Sequence, residues 1–159
     1  MVRRPASDPV DDQRCTPADV RLSLTGLDAA AGHRYAQLVA TNAGDRTCQL
    51  RGWPGVGFPG AWGTAFPVIA EQVDPLIERV GVPVADPGVA VSLPPGGRAV
   101  ADLEWTGALA GNRQERTSLI AVQFADGGAA AALPVPAGSQ IDLGAETTVR
   151  IGPWGAAGT

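Results

Sequence analysis

Asp102 and Glu104 stand at alternate positions in the run from Ala99 to Trp105. In an extended strand, residues two apart share a face and lie roughly 7 Å apart. That separation is compatible with the paired carboxylates of a glycoside hydrolase, one as the acid and the other as nucleophile or base. A glycosidase-like hydrolase using Asp102 and Glu104 is therefore one expectation. The competing reading is two carboxylates on a solvated sheet face, opposite buried Leu103 and Trp105. The second is the stronger, because nothing else in the chain supports a sugar site.

The remaining chemical candidates are weaker. His33 is the only histidine, so a Ser-His-Asp triad would have to use it, and no Gly-x-Ser-x-Gly elbow accompanies it. One histidine and two cysteines are too few for a structural zinc site, and no soft ligands are left for copper, so no metal is expected. His33 reads as an ordinary strand-edge residue. Gly55-Val-Gly57-Phe-Pro-Gly60 fits G-x-G-x-x-G literally. No helix signal follows it, so a pyrophosphate would have no helix N-terminus to meet, and no cofactor is expected.

Cys15 and Cys48 are too far apart for a Cys-x-x-Cys redox motif. A disulfide is favoured over two free thiols. It would close a roughly 34-residue loop, for which the chain-entropy estimate is about 3–4 kcal/mol. Such a bond needs an oxidising compartment, which favours export. Trp53, Phe58, Trp62 and Phe66 crowd the Gly- and Pro-rich segment 51–67. They are the candidate binding residues, an apolar surface patch, with local packing as the bland alternative.

The elements that must carry these residues are strands. Val20, Leu22 and Leu24 alternate with Arg21, Ser23 and Thr25, which is the period of a half-buried strand. His33–Thr41, Val89–Leu93, Ala99–Trp105, Leu119–Ala125 and Thr147–Ile151 continue the series. Asn42-Ala43-Gly44-Asp45, Pro94-Pro95-Gly96-Gly97 and Asp126-Gly127-Gly128 are turn signals between them. In 68–82, Ile69, Val73, Leu76, Ile77 and Val80 have helical spacing, but Pro75 argues against a regular helix. An irregular loop or one or two helical turns is expected there. Residues 1–14 are polar and read as a flexible N-terminal arm, and 15–155 as one domain.

Composition agrees. Gly and Pro number 21 and 14, spread between apolar runs as short strands with tight connections require. The net charge of −4 argues against nucleic-acid binding. All basic residues are Arg and none is Lys, as in proteins from GC-rich genomes. No stretch approaches the ~20 apolar residues of a membrane helix. The first residues have no apolar signal core, so the chain is either cytosolic or begins after a removed signal or anchor, and the cysteines favour the second. Membrane contact is then expected only through an anchor outside this sequence.

The sequence also carries a resemblance. Gly32-His33-Arg34-Tyr35 is followed by Thr41-Asn42-Ala43-Gly44, then by the run Cys48-Gln49-Leu50-Arg51-Gly52-Trp53-Pro54-Gly55-Val56, and later by Leu93-Pro94-Pro95-Gly96-Gly97. This order resembles the domain-of-unknown-function 4232 family of actinobacterial exported proteins and lipoproteins, over most of 15–155. The resemblance implies an immunoglobulin-like antiparallel β-sandwich, a Cys15–Cys48 disulfide and an envelope location, and no reaction. A second cysteine pair, common in that family, is missing here. The expectation is a non-catalytic binding or structural module of an exported cell-envelope protein, facing an envelope protein or a glycan. The alternatives are the hydrolase above and a purely structural domain of a larger exported protein.

Overall fold

The computed structural model describes residues 6–7, 11–30, 33–58, 69–74, 84–106, 114–116, 119–134, 142–144 and 148–157. Among them there is no helix, and the fold is all-β. In chain order the strands are β1 (Val20–Ala30), β2 (His33–Asn42), β3 (Cys48–Leu50), β4 (Gly55–Gly57) and β5 (Ile69–Gln72). Next come β6 (Val91–Leu93), β7 (Arg98–Thr106), β8 (Gln114–Arg116) and β9 (Leu119–Gln123). The last are β10 (Ala130–Pro134), β11 (Asp142–Gly144), β12 (Thr148–Ile151) and β13 (Gly155–Ala156).

The main sheet has the order β1-β2-β7-β12-β5, with β13 also on β7. A second sheet runs β10-β9-β4, and β3–β6 and β8–β11 form separate pairs. The alternation read in β1 and β2 fixes their register: Leu22 faces Ala40 and Leu24 faces Leu38, while Ser23 and Thr25 face Val39 and Gln37. Slipping by one residue would turn Leu24 and Leu38 out to water. Leu38 in turn faces Ala101 of β7, so the apolar row crosses three strands. Side chains from both larger sheets and from β3 and β6 meet in one buried cluster, including Leu38, Leu50, Val56, Leu93, Leu103, Ile120, Val122, Ile151 and Trp154. Most of the cluster is aliphatic, as the low aromatic content requires, with Phe58, Trp105, Phe124 and Trp154 buried among the aliphatic side chains.

Three expectations change. Ile69–Gln72 is a strand rather than a loop or helical turn, and it pairs with β12 in parallel, so the sheets are not purely antiparallel. At 69–72 the edge that β12 offers satisfies a row of backbone groups at once, and Pro75, Leu76, Ile77 and Val80 lie outside the described residues. Residues 6–7 and 11–14 of the segment read as a flexible arm are hydrogen-bonded to the body. The Ser7 amide donates to the Trp53 carbonyl (3.2 Å), and the Gln49 amide of β3 donates to the Gln13 carbonyl (2.8 Å). Backbone groups make these bonds, so the polar composition of the segment gave no sign of them. Asp102, expected on a solvated face, is buried at 7% exposure. The chain leaves β12 at Gly152, whose backbone lies against Asp102 and whose amide donates to the Asp102 carbonyl (2.8 Å).

Candidate functional site

Of the motif residues, His33, Arg34 and Tyr35 open β2, while Asn42, Cys48 and the Leu93–Gly97 turn meet at its other end. Asn42 ends β2 and is 1% exposed. Its Nδ2 donates to the carbonyls of Arg46 (2.7 Å) and Leu93 (2.8 Å), and its Oδ1 accepts from the Gly44 amide (3.0 Å). One side chain therefore closes the turn after β2 and ties it to the end of β6. The β6–β7 turn is set by Pro95 and by Gly96 at φ 81°, with the Gly97 amide donating to the Pro94 carbonyl (2.7 Å). Proline followed by a positive-φ glycine is the chemistry a type II turn demands.

Cys48 faces Leu93 across the β3–β6 pair and is bonded to Cys15. The two cysteines are 1% and 2% exposed. Past β3, Gly52 adopts φ 71° and its carbonyl accepts the Trp154 amide (2.9 Å). The Trp53 Nε1 donates to the Val73 carbonyl just beyond β5 (2.7 Å), and its amide donates to Ser7 Oγ (2.9 Å). The Gly52-Trp53 dipeptide thus receives both an N-terminal and a C-terminal segment of the chain. Trp154 is fully buried and meets Phe124 at a ring-centroid distance of 6.3 Å.

Of the four candidate aromatics, Phe58 is 4% exposed and lies in the core cluster, so it belongs to packing and not to a surface. Trp53 is half-buried, held by the bonds just described. Trp62 and Phe66 lie outside the described residues. Gly55–Gly57, the start of the G-x-G-x-x-G run, is strand β4 against β9. His33 opens β2 opposite Thr106.

Asp102 and Glu104 do share a face of β7, opposite Gln37 and Tyr35 of β2. They differ in surroundings. Asp102 is nearly sealed, whereas Glu104, at 14% side-chain exposure, is approached by Arg150 of β12 at 3.7 Å. A substrate reaching both carboxylates would have to displace that ion pair and open the cover over Asp102.

Surface chemistry lies elsewhere. Val84 and Val89 are 56% and 58% exposed, and both line a mostly apolar groove of about 450 Å³. Val91 of β6 and Trp154 and Gly155 complete its walls. Sequence reading missed it because its sides come from segments some sixty residues apart, brought together only when β13 rejoins β7. Among the described residues, no group of three or more His, Cys, Asp or Glu side chains could hold a metal.

The electrostatic node of the molecule is the Asp19–Arg46 pair. Arg46 donates from Nε and Nη2 to the two Asp19 oxygens, at 3.2 and 2.6 Å. It also reaches the carbonyls of Asp12 and Arg14, both at 3.0 Å. The Arg46 guanidinium, aided by hydrogen bonds from Thr16, holds the Asp19 carboxyl down to about 2. This node fastens the turn before β1 to the turn after β2.

An all-β fold with one buried disulfide and its motif residues engaged in holding turns and chain ends defines a disulfide-bonded β domain. The chain belongs to the family described as domain of unknown function (DUF4232), whose model matches residues 15–155. It matches no curated protein and no solved structure.

Proposed function

We propose that this chain is a non-catalytic binding or structural module of an exported cell-envelope protein, with its strands arranged as an immunoglobulin-like β-sandwich. The observation that carries the reading is what the family's motif residues do. Asn42, Cys48, Gly52, Trp53 and Gly97 each bond to another part of the chain. Residues engaged in this way build a scaffold and leave recognition to the surface. The disulfide is consistent with an oxidising compartment, and the contribution of two larger sheets to one core is consistent with a sandwich. Binding, of an envelope protein or a glycan, is seated at the apolar groove bounded by Val84 and Val89.

The location is tested by trapping the thiols of the native protein with an alkylating reagent in separated envelope and cytoplasmic fractions. A bonded pair in the envelope fraction is expected. Free, fully alkylated cysteines in the cytoplasmic fraction would end the reading. Recognition is tested by titrating soluble envelope glycan fragments and detergent-extracted envelope protein against the wild type and Val84→Asp/Val89→Asp. Loss of binding in the variant places the contact at the groove.

A further inference from the structure

We infer that residues 6–7 and 11–14 belong to a strap whose docking is conditional on the Cys15–Cys48 bond, so that the oxidation state of the pair sets whether the outer edge of β3 is covered. The described part of the strap makes few and separate contacts. The Ala6 amide donates to Gln123 Oε1 (3.0 Å), and Ser7 and Trp53 exchange two bonds. Gln13 accepts from the Gln49 amide, and the Cys15 amide donates to the Gln49 carbonyl (3.0 Å). A bridge from Arg14 to Gln49 places 13–15 alongside β3, in parallel, on the side away from β6. Ala6 and Arg14 are each 4% exposed.

Ordering an extended segment costs more per residue than a net hydrogen bond returns. A strap held by one or two hydrogen bonds at separate points, with Ala6 as its one buried apolar side chain among the described residues, is therefore marginal by itself. The disulfide changes this by holding the strap's end, Cys15, against β3 in every conformation, so that only the residues before it have to be ordered. Arg46 adds bonds to Asp12 and Arg14, but its side chain is 42% exposed, where such bonds are weak. The main sheet does not depend on the strap, since its ladder from β1 through β7 is internal.

Closing the bond takes two electrons and two protons from the Cys15 and Cys48 thiols. A protein disulfide oxidant accepts them, its own S–S bond breaking to two thiols through a mixed disulfide. Before that step the edge of β3 and the backbone of Trp53 are uncovered and the N-terminal segment is free. Once formed, the bond is shielded, because both cysteines are buried in the core cluster. The geometry stands independently of location. Its use, keeping the leading segment extended until the chain reaches an oxidising compartment, rests on the export reading and falls separately with the alkylation test.

The test is amide hydrogen exchange on the full chain in three forms: oxidised, refolded and kept in dithiothreitol, and Cys15→Ala/Cys48→Ala. In the last two, the Ser7 and Gln49 amides are expected to exchange within about tenfold of the unfolded-chain rate, while amides of β2 and β7 within 36–40 and 99–103 keep the protection that the lowered global stability of each form, read from its own urea unfolding, allows. Unchanged protection at Ser7 and Gln49 would overturn the inference, because the strap would then dock without the bond. Exchange of the β2 and β7 amides as fast as that of Ser7 and Gln49, or failure of the double variant to fold, would overturn it in the other direction, by making the bond a support of the whole sheet.

Discussion

Asn42 gives the sharpest residue-scale test, because both hydrogens of its side-chain amide are committed to carbonyls and its oxygen to an amide. Asn42→Ala removes the side-chain partner of the buried Leu93 carbonyl and of the part-buried Arg46 carbonyl and Gly44 amide, and a loss of about 1–3 kcal/mol is expected in urea unfolding. Asn42→Asp keeps the shape but aims a carboxylate at two carbonyl oxygens in a site that is 1% exposed. It is expected to be worse than Ala by about 1 kcal/mol or more at pH 7. If Asp proved the milder change, the donor assignment at Nδ2 would be wrong. Asp19 supplies a pH signature. Its folded value of about 2 lies below the ordinary 3.8, so its contribution is fully present above pH 4 and is lost as pH falls toward 2. Stability of the wild type is expected to fall more steeply between pH 4 and pH 2 than that of Asp19→Asn, measured by urea midpoints across that range.

Among the elements, the β6–β7 turn is where sequence and structure agree most closely. A Cβ on Gly97 would sit 2.9 Å from both the ring and the carbonyl of Pro94. Because the carbonyl is backbone, it can move only by opening the turn. Gly97→Ala is therefore expected to cost about 1–3 kcal/mol, read from thermal unfolding with the enthalpy fixed by calorimetry. The other legible elements share one property, that local pattern and burial point the same way. β1 alternates because one face is wet, and β7 places Ala99, Ala101, Leu103 and Trp105 inward as its spacing requires. Where burial comes from the far side of the molecule, the pattern fails. Asp102 is 7% exposed where Gly152, some fifty residues on, bonds to its backbone, whereas its strand position alone reads as exposed. β5 hides behind a helical spacing, and β10 is largely alanine, whose small side chain marks neither face. The strap is invisible for a third reason, since most of its described bonds to the body are made by its backbone. Of the candidate site, the cysteine pair was legible from number and spacing, whereas the groove required β13 to return to β7.

The whole molecule has one core, and this sets how it comes apart. Leu38 of the main sheet, Val122 of the β10-β9-β4 sheet, Leu50 of β3 and Leu93 of β6 all lie in the same buried cluster. Removing any sheet would expose the inner faces of the others, so no part has a core of its own to fall back on. Unfolding in urea is expected to be a single transition, with tryptophan fluorescence and far-ultraviolet circular dichroism giving the same midpoint. The fluorescence samples Trp105 and Trp154, buried in this cluster, and the dichroism samples all strands. The disulfide acts on the other side of the equilibrium. With the bonded positions 33 apart in sequence, it restricts the unfolded chain by an amount worth about 3–4 kcal/mol on the chain-entropy scale. Cys15→Ala/Cys48→Ala is therefore expected to lose about that much, plus what the undocked strap had contributed, while its unfolding remains one transition. A typical domain holds about 5–15 kcal/mol, so the variant stays folded at room temperature. Two separated midpoints in the oxidised protein would mean that the sheets are independent units, and the apolar residues shared between them would then need another explanation.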